Sequence, residues 1–245
     1  MLLDERAREG DGQGSGRGSV TAGSSLGASW RRLRGRPRQG VEIAVPSLYL
    51  GSSYGGYAVI PDLLSRESVV YSFGLGEDVS FDLAVIERFG CLVHGFDPTP
   101  RAIAWLNAQD LPKALVVHAH GLAAFDGVSS FAPPTNPAHV SYSVLDRPGQ
   151  RVELPVKRLS TIRRELGHER IDLLKMDIEG AEFDVIDDLT NDALLPRQIL
   201  VEFHHGRGGV PVAVTERAID RLRKANYRVY HARSTGREFS LLLDG

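Results

Sequence analysis

The chain has 245 residues, 42% apolar and 24% charged, with 29 Lys and Arg against 31 Asp and Glu for a formal net charge of −2. Those are the proportions of a globular protein. Eight arginines (Arg6, Arg8, Arg17, Arg31, Arg32, Arg34, Arg36 and Arg38) fall in residues 1–40, so that stretch is net positive and the remainder net acidic. This excludes a body that grips nucleic acid by counterion release, and a single cysteine, Cys91, excludes a disulfide scaffold and a thiolate zinc cluster.

No stretch approaches the ~18 apolar residues of a spanning helix, and Met1-Leu2-Leu3-Asp4-Glu5 meets charge too early for the core of a signal peptide. A cytoplasmic protein with no membrane segment is expected. Nine of the 26 glycines lie in residues 1–40, where Gly10 to Gly18 alternates glycine with polar residues. Such a segment has too little apolar surface to offset its ordering entropy, so residues 1–40 are expected to be a disordered basic Gly/Arg-rich tail. Residues 41–245 alternate short apolar runs with amphipathic stretches, as one α/β domain does.

Ser68 to Phe73 is an apolar, β-branched and aromatic run closed by Gly74, the pattern of a buried strand. Phe81, Val85 and Phe89 then recur at four-residue spacing before Gly90, which predicts a helix with a glycine stop. Cys91 to Phe96 is a second strand, and Thr99-Pro100 is a cap followed by proline at the first helical position. Strand, helix, strand, helix within about forty residues is the mark of parallel βαβ units. Leu115 to Val117 is a third strand, and Phe131 to His139 is a proline-rich loop. Val140 to Val156 reads as an inserted hairpin about Pro148-Gly149, and Ser160 as the cap of a short helix ending at Gly167. Ile171 to Met176 is a fourth strand, Ala181–Leu189 a helix, and Ile199 to Phe203 a fifth strand. A helix through Val214, Ala218 and Leu222 leads to a C-terminal antiparallel hairpin, Tyr227–His231 with Phe239–Leu243.

An open parallel sheet binds ligands beyond the carboxyl ends of its strands. The first strand ends in Gly74-Leu75-Gly76-Glu77-Asp78, and the second ends in Asp97, 21 residues after Gly76. That is close to the spacing at which a carboxylate accepts ribose hydroxyls, so a nucleoside-containing cofactor is expected across these two strands. A dinucleotide fingerprint needs a third glycine where this chain has Val79. Glu77 and Asp78 would repel a phosphate and attract a cationic sulfonium, which favours S-adenosylmethionine over NAD.

The fourth strand ends in Lys175-Met176-Asp177-Ile178-Glu179-Gly180-Ala181-Glu182, and alternation puts Asp177 at the mouth. Glu182 reads as an acid favoured by the helix dipole. The fifth strand ends in Glu202-Phe203-His204-His205, with Glu202 and His204 on one face and His205 on the other. Asp177, Glu202 and His204 can therefore converge, with His204 as general base oriented by Asp177 or Glu202. A divalent metal on the same groups is chemically possible, but spacing across separate strands fixes no geometry and no metal is assigned. Gly121 is placed where the backbone can pass an adenine ring, and Gly51 to Tyr57 where it can fold over a cofactor.

Together, Val70 to Asp78, Gly95-Phe96-Asp97-Pro98 and Leu174 to Glu182 resemble the FkbM family of S-adenosylmethionine-dependent methyltransferases over about Tyr54 to Leu243. The resemblance implies a class I methyltransferase Rossmann-like sheet, mostly parallel, with the C-terminal antiparallel hairpin. It implies methyl transfer to a hydroxyl of a sugar or other small metabolite. Gly74 and Gly76 would approach the cofactor's amino-acid end, Asp97 its ribose, and Asp177 the reactive methyl, with Glu77 or Asp78 meeting the amino group. Many class I methyltransferases carry an acid two residues before the first glycine, where this chain has Ser72. The alternative reading is a non-catalytic nucleoside-binding module acting through a partner or RNA; otherwise nucleic acid is not an expected partner, and the sequence assigns no oligomeric state.

Overall fold

The computed structural model describes residues 40–133, 142–145 and 151–244. The expected tail, apart from Gly40, and most of the expected loop at 131–139 lie outside the described residues. A short hairpin comes first, β1 (Leu48–Leu50) antiparallel to β2 (Tyr57–Val59). The parallel core follows: β3 (Val70–Phe73), α1 (Ser80–Phe89), β4 (Val93–Phe96), α2 (Pro100–Asn107) and β5 (Leu115–His118). Next come β6 (Gly121–Leu122), β7 (Gly127–Phe131), β8 (Val152–Lys157), α3 (Leu159–Glu165) and β9 (Leu173–Met176). The chain ends with α4 (Glu182–Asn191), β10 (Gln198–Glu202), α5 (Val212–Lys224), β11 (Tyr227–Ala232) and β12 (Glu238–Leu243).

The central sheet has the order β11-β12-β10-β9-β3-β4-β5. Neighbours from β10 to β5 pair in parallel, while β12 runs antiparallel to both β10 and β11. This is the mixed α/β, mostly parallel sheet that the sequence predicts. The order reverses at β3, which has β4 on one side and β9 on the other, so a crevice opens above those three carboxyl ends.

All four residues of β3 and of β9 are buried, as strands covered on both faces must be. Alternation divides their side chains between two layers. One face packs Tyr71, Phe73, Phe96, Met176 and Val201 against Ile162, Ile186 and Ile219. The other packs Val70, Val93, Leu173 and Leu200 against Phe81, Val85 and Leu106, with Tyr57 and Val59 of β2 closing the layer. Full burial of each large apolar side chain contributes roughly 1.5–3 kcal/mol, so this two-sided packing fixes the strand order.

Local signals set the helix ends. Gly90 adopts φ 69° and its N–H donates to the carbonyl of Ile86, stopping α1. Thr99 accepts from the N–H of Ala102, and Pro100 takes the first turn of α2. Two expectations are corrected. Ser160 is not a cap: α3 begins at Leu159 with Arg158 before it, and Ser160 lies inside the first turn. Lys157 to Val152 pairs not with a strand across Pro148-Gly149 but antiparallel with β7, and in parallel with β6, in a separate three-stranded sheet. Pro148-Gly149 itself lies outside the described residues.

Gly74 (φ 78°) is where the loop leaving β3 passes the end of β9, and a Cβ there would stand 1.8 Å from the carbonyl oxygen of Asp177. The contact is between two backbones, so neither side can rotate away. Gly74→Ala should lower unfolding free energy by about 3 kcal/mol or more, combining left-handed strain with a forced shift of β9. Urea denaturation measures this, and an unchanged midpoint would show that the two loops are not in contact.

Candidate active site

The loop leaving β3 is fastened to the end of β4. Gly74 N–H donates to the carbonyl of Phe96, and Gly76 N–H donates to Asp97 Oδ2 at 3.0 Å. Asp97 Oδ1 accepts from both the N–H (2.8 Å) and the hydroxyl (2.6 Å) of Thr99. Asp97 thus stands at the strand end as expected, but Oδ1 is already filled, and Oδ2 is the oxygen with a lone pair to offer a ligand. Glu77 is held by Arg101, Nε to Oε1 at 2.7 Å and Nη2 to Oε2 at 3.3 Å, which offsets its charge. Asp78 accepts from Ser52 Oγ (2.7 Å) and from Ser80 N–H (2.9 Å) at the start of α1. Burial opposes its ionisation, but those hydrogen bonds and the charge of Lys175 hold the carboxyl below the usual range.

These residues line a cavity of about 300 Å³ with Tyr54, Gly55, Pro98, Gly121 and Tyr142. The segment Gly51 to Tyr57 does reach over it: Ser52 binds Asp78, and Tyr54, 80% exposed, lies on the rim. Asp177 and Glu179 form the far wall. A second, polar cleft of about 210 Å³ continues beyond them, lined by Ser53, Tyr54, Asp177, Glu179, Glu202, His204, Arg207, Arg233 and Glu238. Tyr54, Asp177 and Glu179 belong to both.

His204 is the centre of the polar cleft. It lies two residues beyond β10 and is 1% exposed. Its Nε2 faces Asp177 Oδ1 at 3.6 Å, Glu179 Oε2 at 3.6 Å and Glu202 Oε1 at 3.9 Å. The three residues expected to converge are therefore adjacent. Glu179 joins them because it adopts φ 51°, a left-handed conformation few non-glycine residues take, which turns its carboxylate toward His204 and Arg207. Ser143 Oγ donates to the Glu179 carbonyl at 2.6 Å and steadies the turn.

Glu182 has no exposed surface and is not a dipole-decorating acid. Its Oε1 accepts from the His204 backbone N–H at 2.6 Å and lies 3.2 Å from His204 Nδ1, and its Oε2 accepts from Gly180 N–H at 2.8 Å. An ionised carboxylate only accepts, so the Nδ1 proton is assigned to this pair and Nε2 points at the cleft. Burial opposes protonation of His204, but Glu182, Glu179 and Asp177 outweigh it and push the imidazole up to about 9. Burial and the charge of Asp177 push Glu202 up to about 7, and burial raises Asp177 against the charges of Lys175 and His204.

Elsewhere the sequence reading is refined. His205 points away and pairs its Nδ1 with Thr215 Oγ1 at 3.0 Å. His118 stacks on both His94 and Phe96, His120 lies tilted against Phe96, and none of the three lines either cavity. Gly121 lines the cofactor-sized cavity, and a Cβ there would press on Pro98 at 3.1 Å. With Ser72 in place of the customary acid, the buried acid of this region is Asp82 of α1, whose carboxyl burial pushes up against the opposing charge of Lys175. Nothing in the sequence pattern distinguished Asp82 from a solvent-facing helical acid. Glu182→Ala should cost about 3–5 kcal/mol, because three N–H donors lose a buried charged acceptor. A thermal or urea midpoint shifted by less than 1 °C or 0.1 M, roughly the scatter of such scans, would contradict this bonding.

Residues 69–229 match the Methyltransferase FkbM domain. The chain is 26% identical over 185 residues to the probable methyltransferase-like protein 24 of Rattus norvegicus, covering 71% of this chain and 46% of that protein. It is 27% identical over 179 residues to the Homo sapiens protein of the same name, covering 69% and 43%. The chain thus spans less than half the length of these relatives. Among solved structures, the FkbM methyltransferase from Methylobacillus flagellatus is similar with a TM-score of 0.46 and 13% identity, over 73% of this chain and 44% of that one. With a family match over residues 69–229 and the expected strand-end residues lining two adjacent cavities, the chain belongs to the FkbM family of methyltransferases.

Proposed function

We propose that this methyltransferase uses S-adenosylmethionine to methylate a hydroxyl of a sugar or other small metabolite. One observation carries the reading: a cavity lined by the Gly74–Asp78 loop and Asp97 shares Tyr54, Asp177 and Glu179 with a cleft in which an imidazole faces three carboxylates. The donor set fits the cofactor. Asp97 Oδ2 offers a ribose hydroxyl an acceptor, and Asp78 places a carboxylate near the rim for a cationic amino-acid end. The first N–H of α1 is already capped by Asp78, so the helix start has no place for a pyrophosphate, which weighs against a dinucleotide.

When bound, S-adenosylmethionine supplies an electrophilic methyl on a sulfonium. The chain's own work is positioning and proton transfer. Asp177 stands at the junction of the two cavities, where it can accept from the acceptor hydroxyl and aim its oxygen. His204, expected as the base, is pushed up to about 9 and already holds its proton near neutral pH, so the proton of the acceptor hydroxyl passes to the carboxylate of Asp177 or Glu202 beside it, and Glu182 holds the imidazole in place from behind. Polar walls including Arg207, Arg233 and Glu238 suit a hydroxyl-rich acceptor, a free metabolite or the sugar of a glycan. Among the described residues no helix is long and apolar enough to cross a membrane.

The test is calorimetric titration with S-adenosylmethionine and S-adenosylhomocysteine. Saturable binding is expected, and Asp97→Ala, checked by circular dichroism for an intact fold, should abolish it. No binding to the folded wild-type chain would overturn the cofactor assignment. His204→Ala should reduce turnover on a hydroxyl acceptor by about 10²-fold or more while leaving cofactor affinity nearly intact. Full activity in that variant would remove His204 from the proton path; binding without turnover on any hydroxyl acceptor would favour the non-catalytic module.

A further inference from the structure

We propose that Asp177, Glu179 and His204 form a binding site for a divalent cation at the mouth of the acceptor cleft. One ligand atom from each lies within 4.8 Å of the others. His204 Nε2 stands 3.6 Å from both Asp177 Oδ1 and Glu179 Oε2. With two edges of 3.6 Å and the third no longer than 4.8 Å, a point equidistant from the three atoms lies about 2.1 to 2.4 Å from each, close to the usual metal–ligand distances for imidazole nitrogen and carboxylate oxygen.

The histidine is an independent sign of a ligand. The side chain is 1% exposed, and its Nε2 is ringed by three carboxylates at 3.6, 3.6 and 3.9 Å, a spacing of ion pairs too long for direct hydrogen bonds and wide enough to take an ion among them. Its other nitrogen is held by Glu182, a carboxylate that also grips the His204 backbone. A carboxylate behind one ring nitrogen and an open coordination direction at the other is the arrangement of a metal-bound histidine, fixing tautomer and ring plane. Charge argues the same way. Asp177, Glu179 and Glu202 converge on Nε2, where their charge holds either the proton of the imidazole or a cation in its place, and Arg207 binds Glu179 at 3.0 Å.

Two carboxylates and one imidazole suit Mn²⁺ or Mg²⁺ better than thiophilic metals. Three protein ligands leave coordination positions that face the cleft, where hydroxyl oxygens of an acceptor replace water. The ion then aligns those oxygens and polarises the O–H; its proton passes to Glu202, the facing carboxylate that is not a ligand, as the oxygen takes the methyl and the sulfonium leaves as a thioether. The role as catalyst rests on the proposed methyl transfer to oxygen, but the binding site does not.

The test uses the full chain stripped with chelator and titrated with Mn²⁺, free ion being followed by electron paramagnetic resonance. One saturable ion per chain is expected. Asp177→Asn and Glu179→Gln keep side-chain shape and should abolish that saturable phase, and Glu182→Gln, which keeps all three ligands, should weaken it about 10- to 100-fold. Circular dichroism confirms that each variant is folded. Absence of Mn²⁺ or Mg²⁺ binding to the folded wild-type chain at millimolar ion overturns the site, as does binding unchanged in both ligand variants. S-adenosylhomocysteine titration of the stripped protein, run alongside, separates the two proposals: its failure overturns the cofactor assignment while leaving ion binding standing, and the reverse holds as well.

Discussion

The site depends on one buried carboxylate. Glu182 sits where the chain leaves β9 and faces the segment beyond β10, and its two oxygens collect Gly180 N–H, the backbone N–H of His204 and the His204 ring. Taking an ion out of water costs several kcal/mol, and charge-assisted hydrogen bonds return roughly 1.5–3 kcal/mol each, so the net contribution to stability is well below their sum. What the arrangement secures is position. Two loops from neighbouring strands are locked to each other at atomic spacing, and an imidazole is held with one nitrogen occupied and the other facing the cleft. An apolar residue at 182 could fill the space, but it could not orient the ring.

Strand order then separates two electrostatic environments. The loops after β3 and β4 carry acids that are fixed in place: Glu77 by an ion pair with Arg101, and Asp78 and Asp97 by hydrogen bonds from Ser52, Ser80, Thr99 and Gly76 that leave their charge intact. The loops after β9 and β10 carry acids facing one another around His204. A cavity lined by satisfied groups is pre-organised for a ligand that brings hydroxyls and a cation, whereas the cleft beside it holds concentrated negative charge that demands a proton or a metal ion. Asp177 stands on the boundary because β9 lies beside β3 at the reversal of strand order.

Much of this was legible in the sequence because it is local. Thr99-Pro100 and Gly90 mark helix ends through the backbone of one turn, and period-two alternation placed Asp177, Glu202 and His204 on the mouth side of their strands without any knowledge of their neighbours. What was not legible is non-local. The pairing of β7 with β8 joins segments more than twenty residues apart, and the hairpin of β1 and β2 has three-residue strands too short to show a period. Glu182 looks like any acid in a first helical turn, since the dipole favours acids there whether or not they are buried. Only the neighbouring strand reveals that it is a clamp.

Glu179 shows why a site can defeat pattern reading and still be specified. Strand alternation ends with β9 at Met176 and gives no aim for Glu179, which reaches the same imidazole as Asp177 only through a positive φ that costs roughly 1–2 kcal/mol for a residue with a Cβ. The surrounding structure sustains that conformation: Ser143 Oγ and Val144 N–H both donate to its carbonyl, and its carboxylate is bound by Arg207. Gly180 follows at φ 111°, and Leu145 occupies the space where its Cβ would be. The short segment 142–145 therefore sets the turn, while Tyr142 of the same segment lines the larger cavity. One segment thus serves both cavities by different residues: Tyr142 walls the larger one, while Ser143, Val144 and Leu145 hold the turn that presents Glu179 to the cleft.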